Sequence, residues 1–182
     1  SMQYIFWKVV VVGGILSKMK LSAKLLSNSL YLFGEEPKNL FIEDDDIIEL
    51  ITENEMFKAK IQQLIKKYGE GKNEFIVDDS APAEDISITF DSKDLLFALH
   101  NATVFVKAQK NENNIWEMEV QIKDTYDFTE FKNLKEYADN KDGILEDILS
   151  TTLNNLAVVS SEYGVIKIYD LEIKFRTKEG KY

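Results

Sequence analysis

The chain has 182 residues, of which 45% are apolar, and this is enough for about one domain with a core of its own. It carries 32 acidic and 22 basic residues, so its net charge of −10 repels nucleic acid and anionic membranes at long range, and nucleic acid is not an expected partner. Cysteine is absent and His100 is the single histidine, which excludes disulfides, thiolate metal sites and a multi-histidine zinc site, and a serine–histidine–aspartate triad would have to use His100.

The N-terminal segment YIFWKVVVVGGIL, Tyr4 to Leu16, is strongly apolar. It is shorter than the about 20 apolar residues that span a bilayer, and it contains Lys8 without a basic region before it. We predict that this segment packs as core, with a membrane-facing or signal-like segment as the alternative.

Apolar residues then recur at close to helical spacing until GEEP, which predicts an amphipathic helix over 16–33.

A second helical region is predicted after the acidic run Glu43–Asp46, because negative side chains favour a helix N-terminus. Its apolar stripe consists of residues at helical spacing: Ile47, Ile48, Ile51, Phe57, Ile61, Leu64 and Ile65. The acidic run lacks the glycine and the spaced oxygen ligands of an EF-hand loop, so helix capping is preferred over calcium binding. The sequence KKYGEGKN ends the region with cations and glycine.

Beyond GEGKN the apolar pattern changes from a helical period to a period of two. EFIVDD, DISITF, ATVFVKAQ and IWEMEVQIKD read as strands, and DDSAPAED, which contains Pro82, reads as the loop between the first two. We therefore predict a helical part over 1–70 and a β-rich part over 71–182, with one continuous domain as the alternative.

The last two of these strands are separated by KNENN, whose turn-forming residues predict a β-hairpin. On the second strand, one face is predicted to be core and carries Trp116, Met118, Val120 and Ile122, while the intervening residues are polar. A helix over 144–159 and a final strand over 166–175, with a bulge near Tyr169, complete the predicted elements. The predicted fold class is α+β: N-terminal helices, then a curved, half-barrel-like antiparallel sheet with an inserted helix before its last strand.

The period of two continues through IKDTYDF, so that Asp124 and Tyr126 fall on the core face and Asp127 on the other. A carboxylate on a core face needs a partner or lies at the rim of a cavity. In one interpretation Asp124 and Asp127, with the Tyr126 hydroxyl, hold a divalent cation or act as a general base. In the other, Asp124 accepts turn hydrogen bonds, Tyr126 packs and Asp127 caps the next segment.

His100 lies just before the first hairpin strand. Antiparallel pairing across KNENN would bring it toward Asp124 or Asp127, where it could act in proton transfer. The alternative is a structural histidine at a strand end.

The stretch LHNATVFVKAQKNENNIWEMEVQIKDTYDF, followed by a helix and the strand YDLEIKF, resembles the C-terminal activity domain of colicin M and its relatives, from about Leu99 to Lys178. The N-terminal half, with SAKLLSNSL and IKKYG, is similar to toxin modules at the C-terminal ends of bacterial polymorphic toxins. The resemblance implies a mixed α and β fold with a curved antiparallel sheet. It also implies hydrolysis of lipid II, the lipid-linked peptidoglycan precursor, between the prenol and the pyrophosphate, with magnesium.

Asp124, Tyr126 and Asp127 match the acidic string of that family, which implies that Asp127 is the leading catalytic carboxylate and that Asp124 and Asp127 bind Mg²⁺. The family places a His-Arg pair a few residues later, and FTEFKNLKEY contains neither residue. Lys132 and Lys135 could supply charge and His100 could approach from the neighbouring strand, although none of them matches the family pattern.

The resemblance further implies a secreted protein that acts in the envelope or periplasm of a target bacterium, with a cognate immunity protein and peripheral membrane contact. Two alternatives stay open. The chain could be a non-enzymatic toxin or binding module that acts through its helical half, or it could be an immunity or adaptor protein, for which an acidic surface is ordinary.

Overall fold

A computed structural model of the chain describes residues 39–90, 99, 102–126 and 169–180. The chain divides into two compact units, one formed by Asn39–Thr125 with Asp170–Tyr182 and the other by Ser1–Lys38 with Tyr126–Tyr169. Nearly all described residues belong to the first unit, and the elements below are those of that unit.

Three of the predicted elements lie outside the described residues: the apolar segment over 4–16 and the helices over 16–33 and 144–159. The division of the chain near residue 70 likewise stays a prediction.

The described elements place helices before and between the strands of one sheet. In chain order they are β1 (Leu40–Ile42), α1 (Asp45–Glu53), α2 (Glu55–Gly69), β2 (Glu74–Val77), α3 (Ala83–Ile86), β3 (Ser87–Ile88), β4 (Ala102–Lys110), β5 (Trp116–Tyr126) and β6 (Tyr169–Lys178). The predicted α+β class is confirmed.

The six strands form an open sheet in the order β1-β6-β5-β4-β2, with β3 also beside β4. Strands β2, β3 and β5 run antiparallel to β4. Contacts between β5 and β6 extend from Thr125 with Asp170 to Trp116 with Glu179, so this pair is also antiparallel. The short strand β1, which the sequence analysis did not predict, runs parallel to β6 and makes the sheet mixed.

The predicted second helical region is two helices, because Asn54 ends one and begins the next. Its N–H donates to the Ile51 carbonyl at 3.1 Å. Its side-chain oxygen accepts from the N–H groups of Met56 and Phe57 at 3.0 and 3.4 Å, which satisfies the free donors at the start of α2.

Charges at the helix ends follow the helix dipole. Asp45 and Asp46 occupy the first turn of α1, as the acidic run predicts, and Lys66 and Lys67 occupy the last turn of α2 before it ends at Gly69. Both helix boundaries read from charge and glycine are confirmed.

The core lies between one face of the sheet and the helices. Phe57 of α2 packs against Phe175 of β6 with ring centroids 5.8 Å apart, and both side chains are buried. The helices contribute Ile47, Ile51, Phe57, Ile61 and Leu64, and the sheet contributes Phe75, Val77, Val104, Val106, Trp116, Met118, Val120, Ile122, Leu171, Ile173 and Phe175. Burial of such a side chain stabilises the fold by about 1.5–3 kcal/mol.

The stretch DISITF differs from the sequence prediction. Only Ser87 and Ile88 form a strand, and the preceding residues form the short helix α3. The Ser87 hydroxyl donates to the Ala83 carbonyl at 2.7 Å, and the buried Asp85 carboxylate is bonded to α2. These tertiary contacts outweigh the local period of two.

Candidate functional site

The hairpin of β4 and β5 brings the beginning of one strand beside the end of the other. Pairing runs from Lys110 opposite Trp116 to Thr103 opposite Lys123. The predicted hairpin at KNENN is therefore confirmed, and the antiparallel arrangement that the site hypothesis requires is present.

The turn of the hairpin is held by the Asn111 side chain, whose oxygen accepts from the N–H groups of Asn113 and Ile115 at 2.9 and 3.1 Å. Asn114 has a φ of 60°, a left-handed conformation that asparagine tolerates better than most residues.

Asp124 lies on the core-facing side of β5, as the period of two predicts. The four preceding residues on that side, Trp116, Met118, Val120 and Ile122, are each at most 3% exposed. Asp124 itself is half-buried, so the buried face of the strand ends in a carboxylate.

The polar contacts at this end of the sheet connect β5 with β6. The N–H of Thr125 donates to Oδ1 of Asp124 at 2.8 Å, and the Thr125 hydroxyl donates to Oδ1 of Asp170 at 3.0 Å. The N–H of Asp170 donates to Oδ1 of Asn39 at 3.2 Å. Asp170 is a carboxylate that the sequence analysis did not assign to this end, because it lies 45 residues after Thr125 in the chain.

The other predicted site residues lie at or beyond the limit of the described chain. Tyr126 is the last residue of β5 by its backbone, and its side chain is not described. Asp127 and His100 are outside the described residues. Their predicted roles thus stay predictions.

Within the described ranges, no group of three or more acidic or histidine side chains is arranged to hold a metal ion. Of the predicted Mg²⁺ ligands, Asp124 lies within these ranges and Asp127 lies outside them. Among the helices of the described part, none has the length and apolarity that crossing a membrane requires.

A second polar cluster, which the sequence analysis missed, surrounds Asp85 of α3. The Asp85 side chain is 2% exposed and accepts from the Lys67 ammonium at 2.8–2.9 Å and from the Tyr68 hydroxyl. The hydrogen bond from Lys67, followed by that from Tyr68, lowers the pKa of the Asp85 carboxyl. The same bonds raise the pKa of the Lys67 ammonium and of the Tyr68 hydroxyl.

Lys60, about two turns before Lys67 on the same face of α2, donates to the Glu84 carbonyl at 3.1 Å, and burial lowers the pKa of its ammonium group. Because Asp85 is sealed from solvent, its carboxylate has no access to a substrate, and the cluster instead ties α3 to the C-terminal turn of α2. Nothing in the local sequence marks Asp85, since acidic residues also occupy positions 78, 79 and 84.

The face of the sheet opposite the helices carries polar and charged side chains. A shallow depression of about 1070 Å³ crosses this face over β2, β4, β5 and β6. Its charged lining residues are Glu74, Lys107, Glu117, Glu119, Arg176 and Lys178.

Comparisons of the chain with protein-family models, with curated proteins and with solved structures found no match. The likeness to the colicin M activity domain therefore rests on the quoted sequence motif.

Proposed function

We propose that the chain is an antibacterial toxin domain that hydrolyses a pyrophosphate-linked envelope lipid such as lipid II, with Asp127 and Asp124 as its catalytic carboxylates. The position of Asp124 carries the proposal. A half-buried carboxylate at the end of an otherwise apolar strand face interacts more strongly with a cation or a proton than one in open solvent does.

The chain connectivity around the hairpin supports a shared site. Asp127 follows Asp124 by three residues, so their Cα atoms are at most about 11 Å apart. His100 precedes Ala102, the first residue of β4, by two residues, and β4 begins at the end of the hairpin where β5 finishes. His100 is therefore the acid–base partner that we propose for Asp127.

A hard divalent cation fits the proposed chemistry, because carboxylate and phosphate oxygens are ligands that Mg²⁺ prefers. Asp124 and Asp127 would hold the ion, and its charge would offset the repulsion between the carboxylates and the substrate phosphates. Water would be the second substrate. Asp127 would accept its proton, and the water oxygen would bond to the phosphorus next to the prenol. The bond between that phosphorus and the prenol oxygen would break, and the prenol oxygen would take up a proton.

The binding-module alternative rests on the apolar segment over 4–16 and the helix predicted over 16–33, which lie outside the described residues, so it stays open. The helices α1 and α2 add no support to it, because their apolar stripe is buried in the core of their own unit. An immunity or adaptor protein is the remaining alternative, and it predicts a harmless chain.

The proposal is tested by expressing the full chain in a Gram-negative bacterium with and without an export signal, as wild type and as Asp127→Asn and Asp124→Asn. We expect growth arrest only after export, and loss of toxicity in both variants. Asp79→Asn, the same change in an exposed loop, is the matched control and should remain toxic. Purified wild type should release pyrophosphate-linked product from lipid II with Mg²⁺ and not with a chelator.

Full toxicity of a correctly folded Asp127→Asn variant, with folding verified by circular dichroism, would contradict the enzymatic proposal. Harmless expression of the wild type in both compartments would favour the immunity or adaptor alternative.

A further inference from the structure

Strand β2 lies at one end of the strand order, and in the described part of the chain it pairs with β4 alone. Just before β2, the Lys110 N–H donates to the Asn73 carbonyl at 2.8 Å. Bonded and non-bonded residue pairs alternate along an antiparallel ladder, so every second residue of β2, beginning with Phe75, bonds to β4. The N–H and C=O groups of Glu74 and Ile76 therefore point away from β4 and form the outer edge of β2.

The outer edge of β2 lacks the devices that keep a sheet edge from pairing further. Proline, lysine or a bulge on the edge strand usually does this. The strand reads EFIV, and its pairing with β4 is continuous from Glu74 to Val77. No described residue bonds to the outward groups, and the Ile76 side chain beside them is 62% exposed. A further strand can therefore add to this edge.

The turns on either side of β2 restrict how an antiparallel copy of β2 can pair with it. The N–H of Lys72 and the carbonyl of Asp78 are already bonded within their own turns, at 3.0 and 3.1 Å. When Glu74 pairs with Ile76 of a second copy, every outward group of both strands is bonded and both turns stay intact. A shift of the pairing in either direction instead aligns an outward residue with Lys72 or Asp78, whose groups are engaged.

The charges on this edge favour the same register. Lys72, Glu74, Ile76 and Asp78 alternate with the buried residues and share the exposed side. In the register just described, Lys72 lies opposite Asp78 of the second copy, and the two-fold axis repeats this ion pair. The shifted registers place Glu74 opposite Glu74 or Asp78 of the second copy, and like charges directly opposite each other are destabilising.

Both members of that ion pair are able to form it. Lys72 is exposed, and its ammonium group makes no ion pair within the described part of the chain. The Asp78 carboxylate accepts from the N–H and the hydroxyl of Ser80 through Oδ1, at 3.0 and 2.5 Å, which leaves Oδ2 for a lysine.

We propose that two copies of the chain associate edge to edge through antiparallel pairing of their β2 strands, with Glu74 opposite Ile76 and Lys72 opposite Asp78. The arrangement closes at two copies, because each copy uses its one β2 edge. The two Ile76 side chains become diagonal neighbours at about 7–8 Å and cover part of each other's exposed apolar surface.

The interface is small, since β2 has four residues and a stable interface buries about 1,000 Å² or more. We therefore expect a weak dimer with a Kd of about 0.1 mM. Strand β4 separates β2 from β5, which carries Asp124, so the pairing does not rest on the proposed function.

The first test is sedimentation velocity of the full chain over a range of concentrations. We expect Lys72→Glu to weaken dimerisation about tenfold, because it places like charges opposite each other at two symmetric positions. The charge swap Lys72→Glu/Asp78→Lys should restore it. Lys66→Glu, the same charge change at an exposed position of α2, is the matched control and should dimerise like wild type.

A second pair of variants tests the backbone bonds without changing charge. Ile76→Pro removes an N–H that points away from β4, a place where an edge strand tolerates proline, and it should abolish the dimer. Ile76→Val keeps that N–H and should still dimerise. In wild type, hydrogen exchange at the amides of Glu74 and Ile76 should slow as the protein concentration rises.

A wild-type chain that stays monomeric at every concentration would overturn the proposal. So would equal weakening by Lys72→Glu and Lys66→Glu, a folded charge-swap variant that stays monomeric, or a dimer that persists in Ile76→Pro. If the charge-swap variant does not fold, Ile76→Pro and Ile76→Val decide the question. A monomer that binds an unrelated peptide of alternating threonine and valine at the amides of Glu74 and Ile76 would assign the edge to a strand of another protein instead.

Discussion

The two faces of the sheet differ although they are built from alternate residues of the same strands. On the covered face of β5 and β6, every second residue from Trp116 to Ile122 and from Leu171 to Phe175 is buried under or beside the helices. On the exposed face, the intervening residues form ion pairs and amide contacts such as Lys174 with Glu119. Burial of apolar area provides most of the folding free energy, whereas exposed ion pairs provide little, so the covered face supplies most of the stability of the sheet.

The largest expected effect compares two phenylalanines, one from each environment. Phe57 is fully buried against Phe175, and Phe57→Ala should lower the free energy of unfolding by about 3–5 kcal/mol. Phe41 in β1 is 68% exposed, and Phe41→Ala should change the free energy by less than about 0.5 kcal/mol. Urea denaturation of the full chain measures both. Similar losses in the two variants would show that the exposed face also contributes to the core.

A smaller effect is expected at Gly69, where α2 approaches the covered face closely. A Cβ at this position would lie 2.9 Å from Cζ2 of Trp116 and 3.1 Å from Cδ1 of Phe75. Those two rings pack edge to face with centroids 5.0 Å apart, so neither can move away freely.

Gly69→Ala should therefore destabilise the protein by about 1–2 kcal/mol, because overpacking outweighs the gain in helix propensity. Lys66→Ala, in the same helical turn and exposed, is the matched control and should leave the free energy of unfolding nearly unchanged. A Gly69→Ala variant as stable as wild type would indicate that the rings can adjust.

The smallest of these three effects at neutral pH is expected for Asp85→Asn, because the asparagine oxygen can still accept hydrogen bonds from Lys67 and Tyr68 and only the charge is lost. The effect depends on pH. The folded-state pKa of Asp85 is lowered below the unfolded value of about 3.9, so its stabilisation is complete above that value and is lost as the pH falls through the folded-state pKa.

Thermal unfolding between pH 7 and pH 2 measures this contribution. Wild type should lose more of its melting temperature on acidification than Asp85→Asn does. The variant should keep some acid sensitivity, because the pKa values of Glu117 and Glu119 are lowered as well. Identical pH profiles for the two proteins would contradict an ionised Asp85 in the fold.

The sequence predicted the elements whose signals are local and repeated. The alternation on β5, the turn at KNENN and the helix boundaries at the acidic run and at Gly69 all agree with the structure. The strand period also placed Asp124 on the covered face, and the described structure agrees, whereas the site roles of Asp124, Tyr126, Asp127 and His100 stay predictions.

Other features were not predictable because they depend on distant residues. The helical conformation of Asp85 and Ile86, where the sequence predicted a strand, depends on bonds from Lys67 and Tyr68 to Asp85. Asp170 joins the end of β5 only because β6 pairs there.

What the sequence by itself determined is therefore the pattern of buried and exposed positions along each element, since apolar spacing follows from the backbone periods of helix and strand. Tertiary structure alone decided which elements became neighbours. It placed β1 parallel to β6, bonded Asp85 to α2, and gathered Lys107, Lys174 and Arg176 around Glu119. These arrangements bring together residues far apart in the chain, and their contacts form only when the sheet has assembled.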